Sequence, residues 1–139
     1  MENISSLTAE EIITRLQQLT AGVSYQSESD FPVEVVQLHS TEPDRFTRES
    51  ILTLTGHPLE TPVAETSIAV FFGHLVQSEK LPVHGDNAVD QITALQSICT
   101  QQLQSIQVFR IGSRTITILL LGKTPEGIWV GLKTTAIET

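Results

Sequence analysis

The last third of the chain constrains the fold most. Three runs there, "IQVFRIG", "RTITILLLG" and "GIWVGLKTTAI", are rich in β-branched and apolar residues. Two short joints separate them: Gly112 followed by Ser113, then Pro125 with Gly127 two places on. Both joints are turn chemistry, with glycine free to take φ > 0 and proline fixing a turn angle. Consecutive strands joined by tight turns pair antiparallel, so the spacing predicts a three-stranded meander. Its middle run, "TITILLL", is apolar almost throughout instead of alternating, which predicts a central strand covered on both faces. Helices must then lie on both sides. The expected class is α/β, an α/β/α sandwich built on a mainly antiparallel sheet.

The remaining segments supply those helices. "SLTAEEIITRLQQLTAG" carries Ile12, Leu16 and Leu19 on one face, with Thr8 and Glu11 at capping-box spacing and Gly22 as a stop. "FPVEVVQLH" reads as a strand, with Pro32 at its start because proline cannot donate to a central ladder. "TRESILTLTG" predicts a short helix ending at Gly56. In "ETSIAVFFGHL", Ile68, Phe71, Phe72 and Leu75 favour another helix. "DNAVDQITALQSICTQQLQS" gives the strongest signal, with Val89, Ile92, Leu95, Cys99 and Leu103 at steps of three and four. Asp86 or Asn87 can cap that helix, and Asp90 suits its first turn. No repeat or composition break divides the chain, and 139 residues fit one domain, 1–139.

Composition excludes several functions. The net charge is −8, with only eight Lys and Arg and no basic run, which disfavours direct nucleic-acid binding. An acidic surface suits a basic partner, because complementary charge raises the encounter rate. One cysteine, Cys99, precludes a disulfide framework within the chain and lies on an apolar helix stripe, where packing is its expected role. No secretory signal or membrane-length apolar run is visible, so cytoplasmic residence is expected.

The search for catalytic chemistry yields little. His39, His57, His74 and His84 include no i, i+4 pair of the metal-binding kind. His57 follows a helix stop, where a turn or capping role is expected. His74 is expected near a helix end. A hydrolase using His57 or His84 with a carboxylate has no supporting motif, and neither a nucleophile elbow nor a phosphate-binding loop occurs. Trp129 and Phe109 sit in strand patterns and read as core. Glu28 and Asp30 lie two residues apart in "QSESDFP" and are expected to point the same way. On spacing alone that segment is a capped turn or solvated connector, since nothing nearby drives two carboxyl pKa values apart.

Read together, "GVSYQSESDFPVEVV", "TGH" at 55–57, "DNAV", "QVFRIG" and "GKTPEGIWVGLKTTAIET" give a resemblance over nearly the whole chain. The chain resembles the bacterial nuclease A inhibitor family. That resemblance implies an α/β/α sandwich similar to the plant pathogenesis-related protein fold. It implies a non-enzymatic protein that binds and blocks a sugar-non-specific DNA/RNA endonuclease of the ββα-metal type, as a monomer forming a heterodimer. It implies no cofactor of the chain's own, although Mg or Mn of the partner can be bridged in the complex. Glu28, within Ser27-Glu28-Ser29, matches a glutamate that helps hold the nuclease near its active site. Thr139, after Glu138, matches a C-terminal threonine whose free carboxylate reaches the nuclease's catalytic metal.

One loop departs from the family pattern. Where the family carries an Asp-Trp contact pair, this sequence has Lys80 and Leu81. A buried Trp is a common interface hot spot, so the loop has lost an aromatic anchor and gained a cation. The alternative that this suggests is a protein-interaction module of the same fold with a different, non-nuclease partner.

Overall fold

The computed structural model describes residues 8–25, 31–38, 45–79 and 86–138, and for residues 24, 77–79 and 86–89 the backbone only. The meander forms as the turn residues dictate: β5 (Gln104–Ile111), β6 (Thr115–Lys123) and β7 (Trp129–Ile137). Each neighbouring pair is antiparallel. The turn glycines Gly112 and Gly127 have φ of 116° and 86°, angles that disfavour any residue with a Cβ. Two more strands extend the sheet, β3 (Glu34–Leu38) beside β7 and β4 (Val63–Thr66) beside β5, giving the order β3-β7-β6-β5-β4.

The central strand β6 shows why both sides are covered. Ile116, Ile118 and Leu120 face one core, and Leu119 and Leu121 face the other. On the first side lie α1 (Ala9–Thr20), α3 (Ile68–Glu79) and α4 (Asp86–Gln102), which contribute Ile12, Leu16, Phe71, Phe72, Leu75, Ile92, Leu95 and Cys99. The second side is thinner. Among the described helices only α2 (Arg48–Thr55) covers it, through Ile51 and Leu52, helped by Phe46 packed edge-on to Trp129 at 4.7 Å. Full burial of each such side chain contributes roughly 1.5–3 kcal/mol before entropy is counted. The expected α/β/α sandwich is thus present.

Local chemistry sets the helix ends. Thr8 Oγ1 accepts from Glu11 N–H at 3.1 Å, while Glu11 Oε1 accepts from Thr8 N–H at 2.9 Å, closing the capping box. The far end of α1 is capped from α4, where Gln91 Nε2 donates to the carbonyls of Leu19 and Ala21 at 2.9 and 2.8 Å. Helix α2 ends on left-handed Gly56, and the next N–H, of His57, donates to Leu52 O at 2.9 Å.

Three boundaries differ from the sequence expectation. "FPVEVVQLH" is not one strand: β2 (Phe31–Pro32) pairs with β1 (Ser24–Tyr25) in a separate two-stranded ribbon, and β3 begins only at Glu34. Val33 is buried between them and donates to Val23 O at 3.2 Å, so the chain changes partners there. Glu65 and Thr66 lie in β4, not in the helix that follows; a four-residue edge strand of half-buried and exposed residues carries no apolar period to reveal it. Helix α4 stops at Gln102, and Leu103 forms the hinge into β5 while remaining buried. A register shift follows between Gln104 and Gln107, with Ser105 at φ 56°. Past this irregularity, Gln107 is buried and holds Phe46 by both its N–H (2.7 Å) and its carbonyl (3.1 Å).

Candidate functional site

At one end of the three-helix face, three elements converge on Arg110. This residue lies on β5 between Ala64 of β4 and Ile118 of β6. Its guanidinium forms an ion pair with the carboxylate of Glu138, the residue that follows β7. The pair is partly solvated, with side-chain exposures of 28% and 50%. Glu138 is also held by its backbone, whose N–H donates to Arg114 O at 2.8 Å. Tyr25 lies near enough for the Arg110 charge to act on its phenol.

Tyr25 is placed by its surroundings. It ends β1, is buried, and stacks on His74 at 4.0 Å and on Phe71 at 5.9 Å. His74 therefore sits in the body of α3 and not near its end. Burial pushes the Tyr25 phenol pKa up, against the lowering effect of Arg110. The phenol stays protonated at neutral pH, so it acts as a packed hydrogen-bonding group and not as a base. The other strand of the ribbon is fastened to β7: Thr134 Oγ1 donates to Pro32 O at 2.9 Å and lies 3.4 Å from Phe31 O.

The other sequence candidates for chemistry are structural. Burial pushes the Cys99 thiol up to about 12, which leaves no thiolate for nucleophilic work. His57 Nδ1 lies 2.7 Å from Thr55 Oγ1 in the turn after α2, the capping role expected of it. Trp129 and Phe109 are buried core residues. Among the described residues no group of three or more His, Cys, Asp or Glu could hold a metal. A shallow depression along α1 is lined by Glu10, Glu11, Thr14, Arg15 and Gln18, all from one helix face, without converging groups. No described helix is long and apolar enough to cross a membrane.

Of the residues singled out for partner binding, Ser27, Glu28, Ser29, Lys80, Leu81 and Thr139 lie outside the described residues, as do Asp30, His39 and His84. Glu138 is described, and its carboxylate is engaged by Arg110. Sequence reading missed Arg110, Tyr25 and Thr134 as members of one cluster. The available signal was the single charge in "QVFRIG", which no strand pattern requires.

The family model described as nuclease A inhibitor-like protein matches residues 10–139. The chain belongs to the nuclease A inhibitor-like family. No curated protein matches it. Membership supports a nuclease-inhibitor role in general, with a nuclease as partner, and suggests a non-enzymatic one.

Proposed function

We propose that this chain binds and blocks the active site of a metal-dependent, sugar-non-specific DNA/RNA endonuclease of the ββα-metal type. Glu28 and the C-terminal carboxylate of Thr139 are the anionic contacts in this reading, flanked by Ser27, Ser29 and Glu138. The observation that carries it is the family match over residues 10–139, and the structure adds that Glu138 is paired with Arg110, near Tyr25. Tyr25 and Glu138 immediately precede segment 26–30 and Thr139, the two places that the resemblance singles out.

Elementary chemistry supports the mechanism. A nuclease site is built to hold a phosphodiester anion beside a hard divalent cation. Mg²⁺ prefers oxygen ligands, so an accessible carboxylate can stand where the phosphate stands. The chain's net charge of −8 steers it toward a basic nucleic-acid groove. Further surface contacts must offset the entropic cost of association. The metal belongs to the partner, Mg or Mn, and the inhibitor supplies only oxygen.

The test is a nuclease assay in Mg²⁺ comparing the native C-terminus with one extended by several residues, alongside Glu28→Ala. Both changes are expected to weaken inhibition. Full inhibition by both variants sinks the mechanism.

The Lys80-Leu81 pair favours a second reading, a module of the same fold with a non-nuclease partner. Recovery of such a partner from the source cell, together with no inhibition by the native chain, selects it.

A further inference from the structure

Arg110 is a lone cation on the second strand from the edge of the sheet. Strand pairing does not call for it, since its cross-strand neighbours Ala64 and Ile118 are uncharged. What it reaches comes from elsewhere: the Glu138 carboxylate after β7, with Tyr25 at the end of β1 near enough to feel its charge. A guanidinium carries five donors in a planar fork suited to a carboxylate. The ribbon that holds Tyr25 is tied to the sheet a second time by Thr134. Glu138 is tied a second time by its own N–H.

We infer that Arg110 is a positioning residue that locks the residue after β7 onto the same sheet to which Thr134 fastens the β1–β2 ribbon, fixing the chain segment at Glu138 relative to that ribbon before a partner arrives. The functional consequence rests on the nuclease-inhibitor reading; the structural one rests on the geometry alone. Two independently moving contacts each lose freedom on binding, whereas a pre-set pair loses less. A partly solvated ion pair adds little to global stability. Its value therefore lies in local order.

Four variants decide the matter: Arg110→Gln, Arg110→Lys, Glu138→Gln and the Arg110→Gln/Glu138→Gln double. Amide hydrogen exchange at Glu138 is read on the free protein. Inhibition of a magnesium-dependent ββα-metal endonuclease is read in parallel. Arg110→Gln is expected to speed exchange at Glu138 and raise the inhibition constant, each about fivefold, with exchange at Leu120 unchanged. Arg110→Lys restores part of both effects. The double variant is no worse than Arg110→Gln, because both changes break one contact. Unchanged exchange at Glu138 in Arg110→Gln overturns the inference whatever the inhibition data, and so does strict additivity in the double variant. If the native chain does not inhibit, the nuclease reading falls, and exchange still decides whether Arg110 locks the residue after β7.

Discussion

Arg110 and Glu138 are 28 residues apart in sequence, and their ion pair fastens the residue after the last strand to the interior of the sheet. The consequences of this and of the surrounding packing are measurable.

Glycine carries two opposite roles in this fold. A Cβ on Gly131 would run into the Leu120 carbonyl and approach Leu121 Cδ2 to 2.9 Å, and the backbone of the central strand cannot yield cheaply. Gly131→Ala is expected to destabilise by about 3 kcal/mol or more. Gly73 on α3 has nothing within 4 Å of its added Cβ. Gly73→Ala is expected to stabilise by ~0.5–1 kcal/mol, from helix propensity. Urea unfolding of the two variants against wild type reads both signs.

The capping box of α1 gives a second expectation. Thr8→Ala leaves the Glu11 N–H without its side-chain acceptor and removes one half of the reciprocal pair. The expected loss is ~1 kcal/mol in chemical denaturation, and Thr8→Ser recovers most of it.

Alkaline pH probes the first core. The Cys99 thiol ordinarily titrates at 9.0 and is raised to about 12 by burial. Between those values the unfolded chain has lost a proton that the folded chain keeps. Stability from this group is therefore full below pH 9 and falls as pH rises toward 12, by about 1.4 kcal/mol per unit at most. The raised Tyr25 phenol acts in the same direction, starting near its ordinary value of 10.0. Cys99→Ala is expected to be less stable at pH 7, because it opens a cavity, yet to lose less stability between pH 9 and 11 than wild type. A parallel decline in both proteins would count against this assignment.

The ribbon has its own fastening. Thr134→Val keeps shape but removes the donor to Pro32 O. Hydrogen exchange at Val33, whose N–H bonds Val23 O, is expected to quicken, with a loss of about 1–2 kcal/mol in global stability. Equal protection at Val33 in both proteins would show that the ribbon holds without Thr134.

How far the sequence reveals this molecule follows from the range of each interaction. The meander is legible because its turns at Gly112–Ser113 and Pro125–Gly127 are set by neighbouring residues. Thr8 with Glu11, and Gly56 after α2, are equally local. The partner change at Val33 is not legible, because "FPVEVVQLH" is one apolar stretch whose two halves pair with different strands. Strand β4 is hidden for the same reason, being defined only by its pairing with β5. The Arg110 cluster is the least legible feature. Tyr25, Arg110 and Glu138 come from three distant segments, and no periodicity announces that they meet. Family resemblance pointed to Glu138 and to the segment after Tyr25, but not to the cation between.

The change of partner at Val33 also bears on what this scaffold tolerates. Because β1 and β2 belong to a ribbon of their own, they take no part in the ladder order of the five-stranded sheet. Substitution or lengthening between Gln26 and Asp30 is thus expected to leave the register of β3 on β7 intact. On the proposed role of Glu28, randomising that segment alone is expected to re-target the same frame, as an engineer would diversify one segment of a binding scaffold.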